Sequence, residues 1–349
     1  MSNRTVNILV PVISVILGLI VGAIIMVVSG YDPVKGYTAL WNGIFGDSYS
    51  IGNTIRQITP YILAGLAVAF AFRTGLFNIG VEGQLLMGWL AAAWVGYAIE
   101  GLPRIIHLPL ALLAAAIAGA FWAFIVGFLK AKLHVHEVIA SIMLNYTALY
   151  ITNAAIKKLS DGSFKTPTVL ESATLRNETL RSITDNSSLH LGIFVALIMV
   201  AVMWFLLEKT TRGYELKSVG FNKNAAEYAG MSVNKNIILA MTISGIFAGL
   251  GGAMEALGTY QNASIKAGMS GIGFDGIAVA LLGANNPLGV LFGASLFGSL
   301  KYGALNMPSA AGIPEEIVAI IIAVIILFVA SGYIIRVGLA KFGKSKEGK

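Results

Sequence analysis

Apolar runs of about twenty residues recur along this chain, and nothing else limits its fold as much. About twenty apolar residues in a helix are needed to cross the ~30 Å hydrocarbon core of a bilayer. Such runs cover residues 8–28, 55–72, 85–99, 108–129, 138–155, 190–207, 237–257, 288–304 and 317–332, with a shorter piece at 276–283. The chain is 12% charged, against roughly 25% in soluble domains. The expectation is an all-α, polytopic transmembrane helical bundle over 1–349. It has about ten apolar passes, with one or more short or broken helices. The 40 glycines suit this reading, because small residues let membrane helices pack backbone to backbone.

The first run looks at first like a secretory leader. It is longer than an h-region of ~7–15 residues, and no small-x-small cleavage site follows it. It is read as a retained first span. The chain has no cysteine, which removes disulfides, thiolate metal sites and a cysteine nucleophile. The formal charge of +7 is carried by basic groups at the ends of spans, in the 208–236 loop and in the tail 333–349. That placement fits membrane lipid at cytoplasmic flanks rather than nucleic acid. An even number of passes puts both ends on one side, and the basic tail makes that side the cytoplasm. The loop 156–189 resists this, because it carries five Lys or Arg and would lie outside.

Several motifs lack the context their chemistry requires. Gly338, Gly343, Lys344 and Ser345 satisfy a phosphate-loop spacing, but they follow an apolar span and no strand precedes them. The tail is read as a basic cytoplasmic anchor. Gly271, Gly273 and Gly276 match a dinucleotide fingerprint without a βαβ unit, so a tight re-entrant turn is expected. His134, His136 and Glu137 suggest a metal, but residues two apart on a helix point ~200° apart. No metal site, catalytic set or cofactor on this chain is expected.

Ionisable groups near spans are functional candidates by default. They are Glu82, Glu137, Glu255 and Asp275, with an interfacial position preferred for Glu137 and Glu255. Glu82 differs because glycines and amides surround it between two apolar runs. A helix broken inside a membrane survives only where protein or a wet cavity satisfies the freed backbone. Asn78, Glu82, Gln84, Asn145 and Asp275 are therefore candidate pathway or broken-helix residues. An ion-gradient-driven secondary transporter or channel would use Glu82, Asp275 or Glu255.

The segment 208–231 is polar, basic and flanked by spans. Asn222 can cap a helix. Ala225 and Ala226 favour one and allow close approach, and Gly230 can end it. Two helical turns are not stable alone, so this piece needs a surface.

Three runs resemble one family. They are Thr74-Gly75-Leu76-Phe77-Asn78-Ile79-Gly80-Val81-Glu82-Gly83-Gln84, then Glu137-Val138-Ile139 with Met143-Leu144-Asn145-Tyr146, then Arg212, Gly213, Val219-Gly220-Phe221-Asn222, Ala225, Ala226 and Gly230. Together they are similar to permease subunits of bacterial ABC importers in the branched-chain amino acid, ribose and nucleoside group. The likeness covers about 55–335 and is nearest to importers of nucleosides such as guanosine; Ser218 departs from the Ala often found there. It implies that 208–231 is a cytoplasmic coupling segment, with Arg212, Gly213, Gly220, Asn222, Ala225, Ala226 and Gly230 facing an ABC ATPase subunit. ATP and magnesium would sit on that partner. It also implies a second permease of different sequence, an extracellular solute-binding lipoprotein, and transport by alternating access without covalent chemistry. Branched-chain amino acids or a sugar are the alternative solutes.

Overall fold

A computed structural model describes residues 3–160 and 162–331. The basic tail and its phosphate-loop spacing lie outside the described residues. The described chain is helical, with only two isolated β-bridges, Lys165 to Ser264 and Arg176 to His190. In order the helices are α1 (Asn3–Val28), α2 (Pro33–Phe45), α3 (Ser48–Arg73), α4 (Val81–Ala98), α5 (Arg104–Leu133), α6 (Glu137–Leu159), α7 (Glu178–Ile183), α8 (Gly192–Lys209), α9 (Thr211–Phe221), α10 (Lys223–Tyr228), α11 (Val233–Ala253), α12 (Ile272–Leu282), α13 (Pro287–Ala304), α14 (Met307–Ala311) and α15 (Glu316–Ala330).

Among the described residues, six helices are long and apolar enough to cross a membrane: Val10–Val28, Ser48–Arg73, Arg104–Leu133, Glu137–Leu159, Gly192–Lys209 and Val233–Thr259. The other four predicted runs correspond to α4, α12, α13 and α15, of which α12 and α15 are apolar but shorter. Two stretches between the apolar runs are partly helical. Residues 29–54, between the first two runs, hold α2 and the start of α3. Asp32 caps α2 by accepting from Val34 N at 2.9 Å, and Pro33 supplies a first-turn φ. Asp47 caps α3 from Ser50 N at 2.6 Å. That same bond, made to the charged form, holds the Asp47 carboxyl below its ordinary range. The expected structureless stretch 156–189 carries a 3-10 turn, Glu171–Ala173, and α7.

The centre is a cluster of α3, α4, α5 and α11 around Phe70, Trp89 and Phe247. Gly249 on α11 lies between α4 and α5. A Cβ there would collide with backbone of Ala115 and Gly119, and Gly88 of α4 abuts the Gly249 backbone from its side. Backbone-to-backbone contact of this kind supplies the dispersion energy that lipid cannot take from a helix pair. At the edge, α1 packs on α15, with Gly18 against Ile325 and Gly22 against Ile321.

Candidate functional site

The break between α3 and α4 is tied together by buried amides. Asn78 Nδ2 donates to Gln84 Oε1 at 2.9 Å and to Ser244 Oγ at 2.8 Å. Asn78 Oδ1 accepts from Gly80 N at 2.9 Å and from Gln84 Nε2 at 3.0 Å. Asn145 on α6 reaches the same turn, accepting from Gly83 N at 2.8 Å and donating to Ile79 O at 3.0 Å. The first turn of any helix leaves N–H groups without intrahelical partners, and here amide side chains take them. Ser244 Oγ passes the chain on to Ala67 O at 2.6 Å, fastening α11 to α3.

Glu82 serves a second break. Its Oε1 accepts from Ser270 Oγ at 2.7 Å and Gly271 N at 3.0 Å, and its Oε2 accepts from Gly273 N at 2.7 Å. The carboxylate thus closes the N-terminus of α12, where helix dipole and free N–H groups favour negative charge. One residue at the start of α4 fixes the start of α12. Asp275, one turn further on, accepts from Tyr61 OH at 3.3 Å and pairs with Lys301 Nζ at 3.1 Å. Glu137 pairs with Lys130 at the α5–α6 turn.

The segment 208–231 forms two short helices. Thr210 Oγ1 accepts from Gly213 N at 3.0 Å and starts α9. Asn222 Oδ1 accepts from Ala225 N at 3.1 Å and starts α10. Gly230, at φ +81°, ends it, while Met231 N bonds back to Ala226 O at 3.0 Å. Arg212 is exposed and bonds Glu215 at 3.0 Å. Arg73 and Lys217 both pair with Glu208, which anchors the segment to the end of α3.

The seven residues predicted in this segment divide by burial. Arg212, Asn222, Ala225 and Gly230 are exposed, whereas Gly213 and Ala226 are buried. Gly213 faces the Leu206 and Leu207 backbone, and Gly220 faces Thr74 and Gly75. A Cβ on Gly220 would sit 2.6 Å from Thr74 C and 2.7 Å from Gly75 N, and Gly75 itself holds φ +73°. Of the three glycines in this set, Gly213 and Gly220 therefore make contacts inside the chain, while Gly230 stays exposed. Beside the exposed members of the set, two aromatic rings also face outward: Phe221 is 91% and Tyr228 95% exposed. Two bare aromatic rings in a basic segment were a signal available in the sequence.

A cavity of about 520 Å³ opens between α3, α4, the end of α11, α12, α13 and α15. Gln57, Tyr61, Trp89, Glu255, Tyr260, Lys266 and Lys301 are among its lining residues. Lys266 Nζ stands 4.5 Å from the Trp89 ring centroid and 5.6 Å from that of Tyr260. Glu255, expected at an interface, is instead 8% exposed, in a π-helical turn (Met254–Thr259) that ends α11. Asn78, Gln84 and Asn145 are not among the cavity's lining residues.

Residues 50–330 match the family described as branched-chain amino acid transport system / permease component. The chain belongs to this permease family. It is the translocating subunit of an ABC importer rather than an enzyme. It is 61% identical to the guanosine ABC transporter permease protein NupP of Bacillus subtilis (strain 168), over 99% of each chain. It is 41% identical to the nucleoside ABC transporter permease protein NupB of Lactococcus lactis subsp. cremoris (strain MG1363), over 98% of this chain and 95% of that one. A second Bacillus subtilis protein, guanosine ABC transporter permease protein NupQ, is 27% identical over 82% of this chain and 92% of its own.

Trp89, Tyr260 and Lys266 were missed in the permease sequence because nothing in their spacing links them. They meet only because 260–271 folds back from the end of α11 to the Glu82 cap. Asn153 on α6 fixes that return, accepting from Lys266 N at 3.0 Å and donating to Lys266 O at 2.8 Å.

Proposed function

We propose that this permease imports nucleosides through a plasma membrane, driven by an ABC ATPase subunit that carries the ATP and magnesium. The observation that carries this reading is the 61% identity, end to end, with a guanosine permease. Ten crossings fit the helices. The 18 residues of α4 rise about 27 Å, close to a bilayer core. The 11 residues of α12 rise only about 16 Å, and the irregular stretch 260–271 completes that pass. The antiparallel pairing of α1 and α15, Gly18 on Ile325 and Gly22 on Ile321, supports a topology with both ends on one side, and the basic residues of the tail and of 208–231 support the cytoplasm as that side.

The ATPase subunit docks on the exposed face of α10 and its flanks, led by Phe221 and Tyr228. Movement there has a direct route inward. Glu208 ties the segment to Arg73, and Gly220 rests on Gly75 at the break between α3 and α4. Beyond the break, Asn78 bonds Ser244 on α11, which leads to the cavity. A second permease chain, as the two similar Bacillus proteins suggest, and an extracellular solute-binding lipoprotein complete the importer.

The test is to purify the chain with its co-expressed partners and measure ATP hydrolysis in proteoliposomes. Guanosine should raise the rate, while leucine and ribose should not. A proton-driven transporter using Glu82 or Asp275 would instead take up solute without ATP and stop when a protonophore is added. That outcome would end the ATPase reading.

A further inference from the structure

Inside the cavity, a carboxylate with a single hydrogen bond and an indole N–H with none stand among the described residues. Glu255 is 8% exposed, and its carboxylate takes one hydrogen bond, from Thr259 Oγ1 to Oε1 at 3.2 Å. Among the described residues it forms no ion pair, although the charges of Arg56 and Lys266 act on it. A carboxylate offers about four acceptor sites. Trp89 is 1% exposed, and its Nε1–H has no partner among the described residues. Buried polar groups are nearly always bonded, so an exception calls for an explanation in function. The π-helical turn strengthens this, since such turns collect at functional sites.

The same cavity presents flat faces. Trp89 and Tyr260 both lie within reach of the Lys266 ammonium. Lys266 is fixed through its backbone by Asn153, and among the described residues its ammonium forms no ion pair. A planar, apolar group entering here would exchange a cation–π contact for stacking on the same face. At about 520 Å³ the space is of small-ligand size. A solute with a flat ring at one end and adjacent hydroxyls at the other would meet both features. Two neighbouring O–H groups can donate together to one carboxylate, as short charge-assisted bonds.

We propose that Glu255 reads the vicinal diol of the solute's ribose while Trp89 and Tyr260 hold its base. This rests on the nucleoside-import reading and adds to it the atoms that recognise the solute within the permease. Specificity follows from chemistry. A site built around an acceptor discriminates against an analogue that lacks the donor, because the acceptor is then left buried and unpaired.

The experiment compares uptake of guanosine and 2′-deoxyguanosine, which lacks the diol, by the complete importer with and without Glu255→Gln. The solute-binding protein is the same in both, so its own preference cancels in the comparison. The guanosine to 2′-deoxyguanosine uptake ratio should fall about tenfold, the size expected for a hydrogen bond to a charged group. An unchanged ratio, whether both rates drop or neither does, overturns the proposal. Should the variant fail to assemble, dicyclohexylcarbodiimide labelling of Glu255 in the unaltered importer decides the matter. Guanosine should slow labelling and 2′-deoxyguanosine should not; equal protection, or none, overturns it. Failure of the unaltered importer to move either nucleoside would overturn the import reading, and this proposal with it.

Discussion

Truncating Tyr228 to Ala should separate docking from folding. The side chain is 95% exposed, so its removal should change the stability of the permease by less than about 0.5 kcal/mol. A tyrosine buried in an interface removes roughly 150–250 Å² from water. At ~25 cal/mol per Å² that is up to about 4–6 kcal/mol before ordering and desolvation are subtracted. A loss near 2 kcal/mol, the hot-spot scale, corresponds to ~30-fold weaker binding. The assay is a titration of purified ATPase subunit onto the permease in nanodiscs, with thermal stability measured on the same samples. The expected result is a dissociation constant raised about 30-fold with an unshifted melting temperature. A dissociation constant within threefold of the unaltered protein's would refute the docking assignment.

Gly220 makes the instructive control. A Cβ there would lie 2.6 Å from Thr74 C and 2.7 Å from Gly75 N, and both of those atoms are backbone. Gly220→Leu should therefore lower the melting temperature first and lose ATPase binding only as a consequence. The two variants give the same defect in uptake for opposite reasons, and only the stability measurement tells them apart.

Glu82→Gln replaces one of two acceptor oxygens with a donor that faces the N–H groups of α12. It should destabilise by ~1–3 kcal/mol, seen as earlier loss of the monodisperse peak after heating, and uptake should gain no dependence on a proton gradient. His190 is pushed down to about 3, chiefly by burial and then by the charges of Arg56 and Arg176. Above its unfolded value near 6.5 neither state binds the proton; below it only the unfolded chain does. Stability should thus fall as pH drops from 6.5 toward 3, by at most about 1.4 kcal/mol per unit, and His190→Gln should flatten that slope. Identical slopes in the two proteins would dismiss the assignment.

The helical class was legible from hydropathy: a bilayer admits only helices and closed barrels, and apolar runs of about twenty residues suit helices, since a barrel strand needs only about ten alternating residues. The caps were legible for a similar reason. Asn222 bonds Ala225 N, and Gly230 takes positive φ, and each effect acts within a few residues. The breaks at 74–84 and 259–273 could be seen as polar, glycine-rich interruptions. Their partners could not. Glu82 meets Gly271 and Gly273 across nearly two hundred positions, and no periodicity in either stretch encodes that pairing.

A glycine shows the limit most clearly, since its pattern in sequence is the same whether the missing side chain admits another protein or another part of the chain. Gly213 and Gly220 stand in a polar segment beside exposed residues, which invites the first reading. The backbones of Leu206, Leu207, Thr74 and Gly75 give the second. Gly213 and Ala226 are buried, Ala225 and Gly230 are exposed, and the large rings at 221 and 228 are left outside the fold. Since Gly220 touches the very break that Asn78 ties to α11, the glycine assigned from sequence to docking lies one step further in. A side chain at 220 would therefore strike the backbone of that break before it met anything outside the chain.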